Sequence, residues 1–290
     1  MNLLPGAIGF ALLSLLFSGA IDVIFKRYSR KERSRGMFLL GMGLVWGLLQ
    51  FTMLEIRGQP LSVDAYTLGF GVAAGLMVTL SNLLFIESFT HLDVSLGSTI
   101  YRLNTIGVVV LSFLFLGEDL GPLKLLGITS GAAAALLLYH HRHESADPTV
   151  MNAFFWLVAL ASLMRAGFGV TTKGGLALGA NGATMMLIAA ACWVVGGFGY
   201  ALLRERRVKV TANKIGYAIV AGLVVFLVVN TLLEALERGE ASIVVPIANL
   251  GFVVALGISV AARMERFTPR KGFAVVCASL SIILLSRVTQ

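Results

Sequence analysis

Apolar runs of about 20 residues, separated by short polar stretches, dominate the chain. A helix needs roughly 20 apolar residues to cross a bilayer. The runs that qualify number ten, and they cover approximately residues 4–25, 36–55, 66–89, 94–116, 121–139, 153–172, 183–203, 215–235, 241–262 and 270–285. This pattern predicts an all-α membrane protein with ten transmembrane helices. Because the connections are too short to hold a folded soluble domain, we expect any chemistry inside or at the face of the bilayer.

The composition agrees with this prediction. Hydrophobic residues make up 57% of the 290 residues, charged residues 13%, and the mean hydropathy is +0.87, all far from the values of an average soluble domain. The first apolar run has no basic leader and no convincing small-residue cleavage site, so we expect a retained helix. Cys192 and Cys277 lie inside predicted helices without CxxC spacing, which predicts neither a disulfide framework nor a metal site, and no cofactor is expected.

The basic residues are distributed unevenly between the two sets of loops. A net charge of +8 would suggest a nucleic-acid partner in a soluble protein, but the positive-inside rule explains it better here. One side of a ten-helix chain holds sixteen basic residues: Lys26, Arg27, Arg30, Lys31, Arg33, Arg35, Arg142, Arg204, Arg206, Arg207, Lys209, Lys214, Arg263, Arg266, Arg270 and Lys271. The other side holds five: Arg57, Lys124, Lys173, Arg238 and Arg287. This bias predicts a cytoplasmic first loop and both termini outside; anchoring by lipid headgroups is compatible with it.

A shift of 147 residues aligns the two halves of the chain without a gap. Among the matches are Lys26 with Lys173, Trp46 with Trp193, Gly75 with Gly222, Glu87 with Glu234, Ser95 with Ser242, Glu118 with Glu265, Pro122 with Pro269 and Lys124 with Lys271. The chain therefore reads as a duplication, with one five-helix repeat in residues 1–139, a linker in residues 140–152 and a second repeat in residues 153–290. An odd number of helices inverts the second repeat, which is typical of transporters and places a cavity between the halves. A channel or a scaffold can also be duplicated.

The segments TLGFGVAAGLMVTLSNLLFIESFTHLDVSLGSTI and FLFLGEDLGPLKLLGITSGAAAALLL resemble the EamA domain of the drug/metabolite transporter superfamily. The resemblance rests on a break at Thr90 to Asp93, the pair Gly117 and Glu118, and the glycines Gly127 and Gly131. The second repeat keeps Glu265 and Pro269 but has Met264 in place of the glycine, and its Pro246 stands where the family commonly distorts a helix.

This resemblance implies a ten-helix exporter or importer of small metabolites in a bacterial inner membrane. The implied central cavity is bordered by the first, third, fourth, sixth, eighth and ninth helices. Members of the family are usually drawn with both termini in the cytoplasm, whereas the distribution of charge here predicts both termini outside.

Two arginines lie inside predicted helices. An ionised residue at the centre of a membrane helix costs about 2.5 to 3.5 kcal/mol, so it normally faces a wet cavity or a partner. Arg165 is interpreted as an anion clamp for a substrate carboxylate or phosphate, because its guanidinium offers a planar fork of donors; the alternative is a structural pair with Asp22 or Glu87. Arg102 and its repeat counterpart Asn249 are predicted to line the cavity, although Arg102 could instead pair with Glu87.

The remaining candidates are carboxylates and amides. Glu87, Glu234 and Asp22 are candidates for proton coupling, because partial burial raises the pKa of a carboxyl group; the alternative for Glu87 and Glu234 is an interfacial position at a helix end. Asn82 and Asn230 nearly coincide under the repeat, and they are predicted to bind substrate or to join helices by hydrogen bonds.

Three other features are given structural interpretations. The glycine pairs Gly71 with Gly75, Gly127 with Gly131 and Gly175 with Gly179 fit close helix packing. Trp46 and Trp193 fit packing or interfacial anchoring. The histidine cluster at residues 139–143 could bind a metal, but a solvated linker is the preferred interpretation.

The sequence as a whole predicts a secondary active transporter of a small organic solute, such as an amino acid or a similar zwitterion or anion, with alternating access. Proton coupling is a further hypothesis. The expected partners are the metabolite, protons and membrane lipid, with no nucleic acid; a monomer is plausible. The alternatives are a membrane-embedded enzyme acting on lipid, for which no catalytic constellation is recognisable, and a receptor or scaffold without transport. The substrate, the direction of transport and the coupling ion are left open.

Overall fold

The computed structural model describes residues 4–29, 34–88, 100–137, 148–206, 212–263 and 267–288. The helices within them are α1 (Leu4–Ser29), α2 (Arg35–Ile56), α3 (Ala65–Ser88), α4 (Asn104–Leu116), α5 (Pro122–Leu137), α6 (Pro148–Ala177), α7 (Gly182–Tyr200), α8 (Ala212–Arg238), α9 (Ala241–Asn249), α10 (Gly251–Ala261) and α11 (Pro269–Val288). A helical turn at residues 100–102 precedes α4, and α7 continues into a π-helical turn, Ala201–Glu205.

Every element in these described ranges is helical, which confirms the all-α prediction. Eight helical spans are long and apolar enough to cross a membrane, with α9 and α10 together forming one of them, and two shorter apolar helices cover Ile100–Leu116 and Pro122–Leu137. The helix predicted at residues 153–172 is longer: α6 begins at Pro148, so residues 148–152 of the predicted linker are helical. A proline suits this first position, where the N–H has no helical partner.

Local hydrogen bonds explain where several helices begin. Ser34 and Asn181 accept from the N–H of Met37 and of Thr184 and so cap α2 and α7. Asp64 performs the same task for α3, since its Oδ1 accepts from the N–H of Thr67 at 2.9 Å. At the C-terminal end of α4, Gly117 adopts a φ of +65°, a left-handed backbone conformation that favours glycine.

Two helices expected to be continuous are interrupted. Leu103 and Leu250 each donate to the carbonyl three residues before and accept from the N–H three residues after, which tightens the chain into one 3₁₀-type turn. The interruption at Leu250 separates α9, which contains Pro246, from α10. Because 103 and 250 differ by 147, the two interruptions are counterparts under the shift that aligns the two halves of the sequence.

Two contacts join residues that are counterparts under the shift of 147. Trp46 of α2 and Trp193 of α7 meet edge to face, with ring centroids 5.5 Å apart. The hydroxyl of Ser130 on α5 donates to the carbonyl of Cys277 on α11 at 2.8 Å. Each pair differs by 147 residues, so each contact joins a position to its own counterpart.

Close helix contacts repeat in the same register. A Cβ at Gly75 would meet Cys192 Sγ at 2.8 Å and Ala189 Cα at 2.9 Å, and a Cβ at Gly222 would meet their counterparts Val45 and Met42 at 2.6 and 3.0 Å. These glycines let α3 approach α7 and α8 approach α2. Gly71 and Gly127, also predicted to be packing positions, press against Ile188 and Leu285.

Several basic residues that the charge count assigned to loops lie within helices, and two of them, Lys124 and Lys173, make contacts inside the fold. Lys124 lies in α5 with its residue only 1% exposed, and Lys173 lies in α6. Both were counted on the less basic side, so leaving them out of the loop count does not reduce the excess of basic residues on the other side.

Candidate functional site

An ion pair joins α1 to the turn before α4. Arg102 Nη2 donates to Asp22 Oδ2 at 2.7 Å, with 25% and 38% of the two side chains exposed. The Arg102 guanidinium also lies 4.8 Å from the centroid of the Phe252 ring on α10, a cation–π arrangement. Both side chains are partly exposed, so neither charge is fully enclosed by the protein. The alternative pairing of Arg102 with Glu87 is not formed.

Two amides meet beside this ion pair. Asn249, the last residue of α9, donates from Nδ2 to Asn104 Oδ1 at 2.5 Å and to Thr105 Oγ1 at 3.4 Å. Asn104 and Thr105 are buried in the first turn of α4. The contact therefore bridges the two interruptions at Leu103 and Leu250. We call Asp22, Arg102, Asn104, Asn249 and Phe252 the central cluster.

Arg165 is half-buried on α6, with its guanidinium 5.5 Å from the Phe168 ring centroid. One turn further along this helix, a Cβ at Gly169 would meet Val245 of α9 at 3.2 Å. Arg165 makes no ion pair with any described residue, and the two carboxylates considered as its structural partners are bound elsewhere, Asp22 by Arg102 and Glu87 by Arg204. Its guanidinium thus keeps its donors available.

Glu87 lies beyond the apolar span Ala65–Phe85, near the end of α3. Its carboxylate accepts from Tyr200 Oη at 2.7 Å and from Arg204 Nη2 at 2.6 Å. Burial raises the pKa of Glu87, but these hydrogen bonds outweigh it and hold the pKa below its usual value. A lowered pKa favours the interfacial interpretation of Glu87 over proton carriage near neutral pH.

Asn230 and Glu234 lie apart from the central cluster, on α8. Asn230 Nδ2 donates to Gln50 Oε1 of α2 at 2.8 Å, and Gln50 Nε2 donates to the Ala183 carbonyl at 3.2 Å. Glu234 accepts from Arg238 one turn later, and Arg57 approaches it to 3.9 Å. Asn230 and Glu234 both line a cavity of about 230 Å³ between α2, α7 and α8. Asn82 donates only within its own helix, to the Val78 carbonyl.

Charged contacts tie α9 to the first half of the chain. Glu118 accepts from the N–H groups of Ala241 and Ser242, both at 2.8 Å, and so caps α9 from another part of the fold. Lys124 pairs with Glu240, and Lys173 Nζ donates to the Leu236 carbonyl at 2.6 Å. The Lys173 contact joins α6 to α8 within the second half, so we call only the contacts of Glu118 and Lys124 with residues 240–242 the α9 latch.

The sequence missed several of these partners. It identified Arg102 and Asn249 but not the role of Phe252 or Gln50, because an apolar ring and an isolated amide carry no signal in an apolar run. For Glu118 and Lys124 a signal existed, since both match acidic and basic counterparts under the repeat. Among the described residues no group of acidic, cysteine and histidine side chains could hold a metal. The histidine cluster at residues 139–143, the break at 90–93 and Glu265 lie outside the described residues.

Comparison with known proteins gives a family match for the first part of the chain. A model of the EamA-like transporter family matches residues 5–140. Residues 5–140 form an EamA-like transporter domain. The resemblance predicted from the sequence is thereby confirmed for residues 5–140, and the apolar helices together with this match indicate a multi-pass membrane protein.

Two further similarities place the EamA-like domain in context. An uncharacterized protein of Methanocaldococcus jannaschii is 34% identical over 86 residues, 29% of this chain, and the match spans 63% of that protein's length. A protein known from a crystal structure superimposes with a TM-score of 0.86 over 98% of both chains, at 12% identity. That second likeness shows that the whole chain, and not only residues 5–140, has a fold already seen in a solved structure.

Proposed function

We propose that the protein is a secondary active transporter that moves a small zwitterionic or anionic metabolite by alternating access. The observation that carries this proposal is the meeting of two interrupted helices at the central cluster. Interrupted membrane helices expose unpaired backbone groups, and transporters use them to bind solutes near the midplane. Arg102 and Arg165 supply guanidinium donors for a carboxylate, and Asp22 and Asn249 supply acceptors for an ammonium group.

Two five-helix repeats, residues 1–139 and 153–290, are part of the proposal. The contacts between counterpart residues, Trp46 with Trp193 and Ser130 with Cys277, support a two-fold axis between the halves. The matched contacts of Gly75 and Gly222 support the same axis. An inverted pair of repeats provides two equivalent gates on opposite faces, which is the geometric requirement for alternating access.

Proton coupling belongs to the same proposal, with Asp22 and Glu234 as the carriers. Asp22 pairs with the guanidinium of Arg102, so a substrate carboxylate that takes over Arg102 leaves Asp22 without its counter-charge. Substrate binding and proton uptake would then be linked at one position. The orientation with both termini outside and a place in a bacterial inner membrane are proposed on the distribution of charge and the family resemblance.

Flux through proteoliposomes tests the proposal. Labelled amino acids and small organic acids are supplied with and without an imposed pH gradient. We expect flux of at least one zwitterion or anion, a loss of about tenfold or more in Arg102→Gln, and stimulation by the gradient. Asp119→Asn is the control, because Asp119 is an exposed carboxylate that makes no hydrogen bond or ion pair with a described residue. Absence of flux for every solute would contradict the transport proposal, and flux indifferent to pH would remove the coupling.

A further inference from the structure

The cavity between α2, α7 and α8 shares no lining residue with the central cluster. Its lining combines charged groups with a short apolar wall: Met53, Arg57, Gln59, Asn181, Gly182, Ala183, Asn230, Leu233, Glu234, Glu237 and Arg238. At about 230 Å³ it is smaller than the pockets that hold drug-sized molecules, which measure roughly 300 to 1,000 Å³. It therefore suits a solute of a few heavy atoms.

Some charged groups in this cavity already have an ion-pair partner, and others can still bind a ligand. Glu234 is satisfied by Arg238, whose guanidinium also lies 4.7 Å from the Phe10 ring centroid. Arg57, half of whose side chain is exposed, reaches Glu234 only at 3.9 Å, beyond hydrogen-bond distance. Glu237 is exposed and makes no ion pair or hydrogen bond with a described residue. One guanidinium and one carboxylate thus face the cavity with open hydrogen-bonding capacity.

The balance of charge selects the class of ligand. Two arginines and two glutamates make the lining neutral overall, so the lining favours neither a simple anion nor a simple cation. An anion bound at Arg57 would face Glu237, and a cation bound at Glu237 would face Arg57. A molecule with one carboxylate and one ammonium group satisfies both residues at once. The Nδ2 of Asn181, whose Oδ1 caps α7, adds a neutral donor for the carboxylate.

We propose that this cavity is a second binding site for an α-amino acid, with the carboxylate held by Arg57 and the ammonium group by Glu237. Met53 and Leu233 form the wall beside a short aliphatic or polar side chain. The inference rests on the proposed transport function, for which the cavity acts as a vestibule that collects substrate at one face. Its residues are distinct from the central cluster, so the two sites can be tested separately.

Binding to the purified full chain in detergent, measured by isothermal titration calorimetry, tests this site. The probes are glycine, L-alanine, L-leucine and L-glutamine, each compared with its methyl ester, which lacks the carboxylate, and its N-acetyl derivative, which lacks the ammonium group. We expect at least one free amino acid to bind, and both of its derivatives to bind about tenfold more weakly or worse, the loss of one charge-assisted hydrogen bond.

Variants locate the binding. Glu237→Gln and Arg57→Gln are each expected to lower the affinity for the free amino acid at least tenfold. In Glu237→Gln the affinity for the N-acetyl derivative is unchanged, and in Arg57→Gln the affinity for the methyl ester is unchanged. Glu55→Gln and Arg270→Gln are matched controls, since both residues are exposed and neither lines the cavity. Controls that bind within about twofold of the parent support the assignment.

The outcomes separate the cavity from the transport proposal. If none of the four amino acids binds, or if Glu237→Gln and Arg57→Gln bind as the parent does, the cavity site is overturned. If solute flux is still measured in proteoliposomes in that case, the transport proposal is not affected. If binding depends on Glu237 and Arg57 but no solute crosses the membrane, the cavity site stands and the transport proposal fails.

Discussion

Asp22 and Arg102 form an ion pair in which both side chains are partly exposed. A fully buried pair would be costly to desolvate, and a fully exposed one would contribute little. With 38% and 25% of the side chains exposed, we interpret the two charges as accessible to a competing ligand. The stacking of Arg102 on Phe252 holds the guanidinium in place when its carboxylate partner leaves.

A double-mutant cycle measures this pair. Asp22→Asn, Arg102→Gln and the double variant are compared with the parent for their free energy of unfolding in detergent. Because both charges are partly solvated, we expect a coupling energy of about 1 kcal/mol. Strictly additive effects of the two substitutions would show that the ion pair contributes nothing to stability in solution.

The cap of α3 titrates at an unusually low pH. Hydrogen bonds from the hydroxyl and N–H of Thr67, and from the hydroxyl of Ser62, lower the pKa of Asp64 from 3.8 to about 2. The folded state therefore binds this proton less readily than the unfolded chain does. The stabilisation is fully present above pH 3.8 and is lost as the pH falls through about 2.

Asp64→Asn removes this titration. We expect the parent to have the higher melting temperature at pH 5, and the difference between parent and variant to shrink as the pH falls from about 4 to about 2. Thermal unfolding in detergent at several pH values measures it. Glu55→Gln, at an exposed carboxylate near the end of α2, serves as the control. A difference that stays constant across this range would refute the role assigned to the Asp64 charge.

Sequence reasoning found the residues of the central cluster better than their partners. Arg102 and Asn249 follow from the cost of polar side chains in apolar helices and from the shift of 147. The pairing of Arg102 with Asp22 instead of Glu87 depends on the turn at Leu103, which sets the direction of Arg102. Arg165 was identified as a charge needing a partner, yet the ring of Phe168 is its neighbour in the described part of the chain.

Between elements, one close approach joins α1 to the start of α10. A Cβ at Gly251 would lie 2.7 Å from Ser18 Cβ and 2.9 Å from the Leu15 carbonyl. Such distances leave no room for a methyl group, because a backbone atom cannot turn aside as a flexible side chain can. Glycine at this position therefore brings α1 against the half-helix that follows Asn249.

Gly251→Ala and Gly257→Ala form a matched pair on α10. We expect Gly251→Ala to lower the free energy of unfolding by about 1–3 kcal/mol through overpacking. A Cβ at Gly257 would meet nothing within 4 Å, so Gly257→Ala should be neutral or stabilising by up to about 1 kcal/mol, the helix propensity of alanine. Equal effects of the two substitutions on unfolding in detergent would disprove the close approach of α1.

The sequence predicted the long helices well and their interruptions poorly. Apolar length alone identifies α1, α2 and α3. Leu103 has no glycine or proline within three residues, so nothing local predicts a turn there. The charge count places Lys124 with the loop residues, whereas the fold buries it beside Glu240. Tertiary contacts decided both cases.

In the whole molecule, the α9 latch joins the two halves at the face where α9 begins. Glu118 replaces the missing side-chain cap of α9, and its negative charge is favourable at a helix N-terminus. Lys124, buried and charged, gives Glu240 a counter-charge. Alternating access requires one face to close while the other opens, so we interpret the latch as contacts that hold this face closed.

Weakening the latch should open this face more often. Glu118→Gln keeps the size of the side chain but removes the charge that caps α9, at a cost of about 1–2 kcal/mol, which changes the ratio of closed to open molecules roughly 5–30-fold. Ser242, fully buried at this face, reports the opening as Ser242→Cys in a background of Cys192→Ala and Cys277→Ala. We expect its maleimide labelling rate to rise by a similar factor in Glu118→Gln but not in the neighbouring Asp119→Asn. If Ser242→Cys labels at the parental rate in Glu118→Gln, the contacts of Glu118 only stabilise the fold, because breaking them does not open a path to Ser242.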